Sequence, residues 1–127
     1  MNKFDFNNRT AVITGGAQGF GLDIAKRFLD SGAKVFIWDI DEKLIRSVVD
    51  EAKNPNLFYK LVDVSNYQNV EKIVSEITSN YNIDILINNA GITGPTAPLW
   101  EYDLEMWNKI IQINLIGTFN CCRAIVP

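Results

Sequence analysis

Thr10-Ala11-Val12-Ile13-Thr14-Gly15-Gly16-Ala17-Gln18-Gly19-Phe20-Gly21 is the stretch that decides the fold of this chain. Five apolar and β-prone residues stop at two glycines and read as a buried strand. From Gly19 to Ser31, Leu22, Ala25, Phe28 and Leu29 recur at helical spacing, and Gly32 is a natural residue just past a helix end. Glycines between a strand and a helix allow a tight turn, let the backbone approach a pyrophosphate, and let helix pack closely on strand. The helix start then offers unpaired N–H groups and a positive dipole end to phosphates. The spacing is Gly-x-x-x-Gly-x-Gly, not Gly-x-Gly-x-x-Gly. A purely structural strand-to-helix turn is the alternative for this stretch taken alone.

Outward from it the alternation repeats. Lys34 to Trp38 reads as a second buried strand closed by Asp39, and Asp41 as the cap of a helix carrying Leu44, Ile45, Val48 and Val49, stopped by Asn54-Pro55. Leu57 to Val62 is a third strand. Ser65 or Asn66 opens a helix with Val70, Ile73, Val74 and Ile77 on one face. Asp84 to Ile87 is a fourth strand, Gly91 to Pro98 a loop, and Leu104, Trp107, Ile110, Ile111, Leu115, Thr118 and Phe119 predict helical packing up to the last residues. Strands alternating with helices predict a parallel α/β sheet with right-handed crossovers, one domain over residues 1–127. The closing Ala124-Ile125-Val126-Pro127 has no glycine or polar cap and reads as a helix cut inside an element, with Pro127 as a true terminator the other reading.

Asp39 lies 18 residues after Gly21, at the C-terminal end of the second strand. A carboxylate there accepts hydrogen bonds from adenosine ribose hydroxyls and repels a 2′-phosphate, so it argues for NAD over NADP. A helix-capping aspartate is the competing reading, which Asp41 fits better.

Composition narrows the field. Among 127 residues, 47% are hydrophobic and 21% charged, which excludes a disordered or low-complexity chain. Lys plus Arg number 12 against 15 Asp plus Glu, a net charge of −3 that gives no basic footprint for nucleic acid. Histidine is absent, which removes His-based metal sites and Ser-His-Asp or Cys-His catalysis. Cys121 and Cys122 are adjacent and form neither a CxxC motif nor a zinc pair; no metal site is expected. Without a signal-like start or an 18-residue apolar run, the reading is a soluble cytoplasmic protein with no membrane partner, in which the sequon Asn8-Arg9-Thr10 is chance.

Four motifs in order resemble one family. Thr14 to Gly21 matches the TGxxxGxG signature of the short-chain dehydrogenases/reductases, and Asn88-Asn89-Ala90-Gly91 matches their NNAG signature. Asp63-Val64 matches the pair that ends their third strand, and Asn114 stands at the position of their active-site asparagine. The likeness covers essentially the whole chain and looks closest to 3-oxoacyl-acyl-carrier-protein reductase and glucose dehydrogenase-type members. It implies a Rossmann-type doubly wound parallel sheet in three α/β/α layers, cut after four strands.

The resemblance also implies roles. Gly15, Gln18, Gly19, Phe20 and Gly21 would hold the cofactor phosphates, Gln18 standing where NADP-preferring relatives often carry a basic residue. Asp39 would take the ribose, Asp63 the adenine amino group and the Val64 N–H a ring nitrogen. Asn89, Ala90 and Gly91 would line the cofactor beside the ribose. Asn88 either holds neighbouring backbone or touches the cofactor directly, and Asn114 would help hold a water in the proton relay. The family's serine, tyrosine and lysine are not in these residues, since Tyr59, Tyr67, Tyr81 and Tyr102 all lack a lysine four positions on. The expectation is the N-terminal half of an NAD-dependent oxidoreductase acting on a small-molecule or acyl-carrier-linked hydroxyl/carbonyl pair, a homo-oligomer (dimer or tetramer) when intact. A short non-catalytic dinucleotide-binding or interaction module is the alternative. As a chain of this length it is expected to lack dehydrogenase activity and to self-associate through its fourth-strand edge and through Ile113, Leu115, Ile116 and Phe119.

Overall fold

The four strands form one parallel sheet in the order β3-β2-β1-β4, in a computed structural model that describes residues 2–127. At its centre β1 (Thr10–Thr14) pairs Val12 with Phe36 of β2 (Lys34–Asp39) on one side and with Leu86 of β4 (Ile85–Ile87) on the other. Every residue of β1 is buried, as expected where helices cover both faces of a parallel sheet. β3 (Leu57–Leu61) lies outside β2, pairing Leu57 with Val35.

The period-two alternation of these strands divides the core in two. Ile13, Val35 and Ile37 pack with Ala25 of α1 (Gly19–Asp30) and Ile45 of α2 (Glu42–Ala52). Val12, Phe36 and Trp38 point the other way, onto Val70, Ile73, Val74 and Ile77 of α3 (Tyr67–Thr78) and Cys121 of α5 (Gly117–Ile125). The result is the expected three layers.

Helix ends follow the sequence signals with instructive differences. The Asp41 carboxylate caps α2 by accepting from Leu44 N at 2.9 Å, and Asn66 caps α3 by accepting from Asn69 N at 3.1 Å. Ser65, the other possible cap, instead donates its hydroxyl to Asp63 Oδ1 at 2.6 Å. α2 ends before Asn54-Pro55, with Lys53 in the left-handed region at φ 46°. β4 begins one residue later than expected because Asp84 closes its start: Asp84 N donates to Thr10 O and its carboxylate accepts Thr10 N, both at 2.9 Å. β3 ends one residue early, although Val62 N still donates to Asp39 O at 3.0 Å.

The C-terminal stretch is helical without a break from Leu104 to Ile125 but not uniformly α-helical. A 3-10 turn (Leu99–Glu101) precedes α4 (Leu104–Ile111), and a π-helical turn (Gln112–Ile116) separates α4 from α5. Such turns accommodate one extra residue and recur at functional sites. Here the inserted turn carries Asn114. Leu104, Leu115 and Phe119 are exposed, whereas Ile113 and Ile116 are half-buried. No helix among the described residues is long and apolar enough to cross a membrane.

The ends of β1 and β4 are joined by a side chain. The buried Thr14 hydroxyl accepts Asn89 N at 3.0 Å and Ala90 N at 2.9 Å. The Asn89 amide returns the tie by donating to Thr14 O and Gly15 O, both at 3.1 Å.

Two outcomes follow for denaturant unfolding. Lys53→Gly is expected to stabilise the chain by about 1 kcal/mol, because glycine enters the left-handed region without the Cβ penalty. Thr14→Val keeps the volume but leaves two N–H groups without their acceptor, and should destabilise by about 2 kcal/mol or more, with Thr14→Ser recovering most of the loss.

Candidate functional site

Strand β1 feeds β2 through a crossover on one side and neighbours β4 on the other, so the winding reverses between β1 and β4. In open α/β sheets, ligands bind at such a switch point beyond the carboxyl ends of the strands. A cleft of about 500 Å³ opens there, lined by Gly15 and Gln18 after β1, Trp38 to Asp41 at the end of β2, Val62 to Val64 after β3, Asn89 to Ile92 after β4, and Ile113. That volume is within the usual range for a small-molecule site.

The glycine-rich turn shapes one wall. Gly15 has φ +64°, and a Cβ on it would stand 3.0 Å from both Ala90 Cα and Asn89 Nδ2. A Cβ on buried Gly21 would run into the Gly15 carbonyl oxygen, so the α1 start sits directly behind the turn. Gly19, at φ +57°, faces open space. Among the described residues the N–H groups of Gly19, Phe20 and Gly21 have no hydrogen-bond partner, and no side chain caps α1. The turn is thus a bare backbone cradle with donors exposed, the surface a diphosphate requires.

Carboxylates define the opposite end. Asp39 Oδ1 accepts Ile40 N at 2.9 Å and Asp41 N at 3.2 Å, while Oδ2 accepts Ala17 N at 3.3 Å. It therefore ties the end of β2 to the glycine turn while remaining on the cleft surface. Asp63 Oδ1 is held by Ser65, and its Oδ2 has no protein donor among the described residues. Asp39, Asp41 and Asp63 all line the cleft, and no lysine or arginine among the described residues does. The chemistry fits a nucleoside with free hydroxyls and an amino group: acceptors at one end, backbone donors at the other.

Of the residues singled out from sequence, Gly15, Gln18, Asp39, Asp63, Val64, Asn89, Ala90 and Gly91 come together around this cleft. Gly19 and Phe20 continue the wall from Gln18, Phe20 with its ring 83% exposed, and Gly21 lies buried behind. Asn114 stands outside the lining. Its Oδ1 accepts Ile92 N and its Nδ2 donates to Ile92 O, both at 2.9 Å, so the side chain braces the loop after β4. Asn88 is not in the cleft lining, and among the described residues its side chain holds no backbone group; its amide donates to Cys122 Sγ at 3.3 Å. The Cys121 thiol beside it is pushed up from about 9 to about 12 by burial, and secondarily by Cys122, and stays neutral at physiological pH.

Several residues carried no sequence signal of their own. Thr14 was legible only as part of the glycine motif, yet its hydroxyl holds the cleft's two main walls together. Ile40, Ile92 and Ile113 give the cleft an apolar component. Trp38 Nε1 is a buried donor without a protein partner among the described residues.

Comparison with known proteins gives a consistent result. A family profile described as short chain dehydrogenase matches residues 9–127. The chain is 34% identical over 123 residues to a 2-dehydro-3-deoxy-L-rhamnonate dehydrogenase (NAD(+)) of Sphingomonas sp., covering 96% of this chain and 49% of that protein. It is 37% identical over 123 residues to a 3-oxoacyl-[acyl-carrier-protein] reductase of Chlamydia trachomatis, covering 94% and 49%. The solved structure of a short-chain dehydrogenase from Novosphingobium aromaticivorans superposes with a TM-score of 0.89 at 30% identity, covering 97% of this chain and 46% of that one. The chain spans about half the length of the curated relatives it matches. With the family profile covering nearly every residue, the chain belongs to the short chain dehydrogenase family.

Proposed function

We propose that the cleft holds NAD(H) and that the whole protein is an NAD-dependent oxidoreductase acting on a hydroxyl/carbonyl pair. The observation that carries this reading is the pairing of an uncapped α1 start, whose first N–H groups are free, with a carboxylate-lined end that has no cationic lining residue among the described ones. The nicotinamide cofactor supplies hydride donation and acceptance. The chain's own contribution is to bind and orient it. Gly19, Phe20 and Gly21 offer N–H groups to the diphosphate, and Asp39 accepts the adenosine ribose hydroxyls. Asp63 and the Val64 N–H address the adenine, while Ala90 and Gly91 leave room for the ribose.

The preference for NAD follows from charge. A 2′-phosphate beside Asp39 would meet a like charge, with no arginine or lysine among the described lining residues to offset it. The relative whose name specifies NAD(+) supports the same choice. Asn114, with both ends of its side-chain amide committed to Ile92, takes its part by positioning the loop on the cleft rim. For the substrate, an acyl-carrier-linked or small-molecule carbonyl is the class we favour, as in the Chlamydia trachomatis reductase. A homo-oligomer is the proposed state of the whole protein, since α4, the π-helical turn and α5 expose Leu104, Leu115 and Phe119 respectively.

In the full-length protein, titration calorimetry should give NADH a tighter dissociation constant than NADPH by about tenfold or more, one unit of charge repulsion. Asp39→Ala should weaken NADH and narrow the gap. Equal affinities for the two cofactors, or an Asp39→Ala protein that binds NADH as before, would contradict the assignment.

A further inference from the structure

We infer that Asn120, on α5 behind the cleft, is a positioning residue for the adenine end, acting through Val64. Only 4% of Asn120 is exposed, and its Nδ2 donates to Val64 O at 2.9 Å across 56 residues of sequence. One turn earlier on the same helix, Gly117 brings α5 against the same residue: a Cβ there would lie 2.6 Å from Val64 Cγ2. Val64 is thus gripped twice, at its side chain and at its carbonyl.

The surroundings make an amide at position 120 conspicuous. The neighbouring Cys121 packs with Val62, Val64, Val70 and Trp38 in one apolar cluster, where a leucine would fill comparable volume without needing a partner. A buried amide is costly unless hydrogen-bonded, so the partner it has is a constraint on the loop and not only on the helix. That loop, Val62 to Asn66, joins β3 to α3 and carries the cleft's far end. Its other internal bonds leave the ligand-facing groups free: Asp63 N donates to Asn69 Oδ1 at 2.8 Å, Ser65 holds Asp63 Oδ1, and Asn66 N donates to Asp63 O at 3.0 Å. Among the described residues the Val64 N–H has no acceptor, nor Asp63 Oδ2 a donor. Fixing the 64–65 peptide by its carbonyl fixes the residue whose N–H faces the cleft. Asn120 does this from behind, without touching the ligand.

This inference rests on the proposal that the adenosine part lies at this end, and the test separates the two. In the full-length protein, binding of ADP-ribose and of reduced nicotinamide mononucleotide is compared for the wild type and Asn120→Leu. The variant should bind ADP-ribose about fivefold or more weakly, the equivalent of one ordered hydrogen bond, while the mononucleotide changes by no more than about twofold. Where Asn120→Leu does not accumulate folded, Asn120→Ser, too short to reach Val64 O, must show the same split. Unchanged ADP-ribose binding, or equal loss for both ligands, overturns the positioning role. Wild-type protein that binds the mononucleotide but not ADP-ribose overturns the placement of the adenosine as well.

Discussion

The Thr14 hydroxyl sits where the last residue of the central strand meets the loop leaving the edge strand, and the site's geometry depends on it. One oxygen accepts two backbone N–H groups, from Asn89 and Ala90, while the Asn89 amide reaches back to the carbonyls of Thr14 and Gly15. Parallel strands have no hairpin to set their relative position, so a reversal of winding between β1 and β4 needs a link of this kind. Because a Cβ on Gly15 would stand only 3.0 Å from Ala90 Cα, closer than ordinary van der Waals contact, the link also fixes how far the glycine turn stands from the opposite wall.

From that joint the cleft is built by commitments of polar groups that keep others free. Asp39 stitches the β2 end to Ala17 and still presents a carboxylate to the cleft. Asp63 gives one oxygen to Ser65 and keeps the other. Asn114, in the π-helical turn, braces Ile92 with both ends of its amide, and Thr118 donates to the Asn114 carbonyl at 2.9 Å. The inserted turn also precedes Gly117, which lets the following helix close on Val64. Preorganised polar groups of this sort cost no reorganisation when a ligand enters.

Much of this was legible in the sequence because strand alternation, helix periodicity and glycine placement are local signals. The strands and helices, the Asp41 cap and the Gly32 stop follow from residues within a few positions of each other, and the three layers followed from the family resemblance. The roles of Asn88, Asn114 and Asn120 were not legible, since an asparagine's partner is set by tertiary contact: Cys122, Ile92 and Val64 lie 22 to 56 residues away. The π-helical turn was hidden for a related reason. Its residues keep an apolar pattern that a regular α-helix would share. Lys53 in the left-handed region has no signal of its own, because a glycine or asparagine would have been the expected residue there.

Amide hydrogen exchange of the full-length protein, with and without saturating NAD, tests the cleft most directly. Binding should slow exchange by about tenfold or more at Gly19, Phe20 and Gly21 and at Val64, the donors now without protein partners. Exchange at these four amides that is unchanged by NAD, with protection appearing elsewhere or nowhere, would contradict the assignment of this cleft.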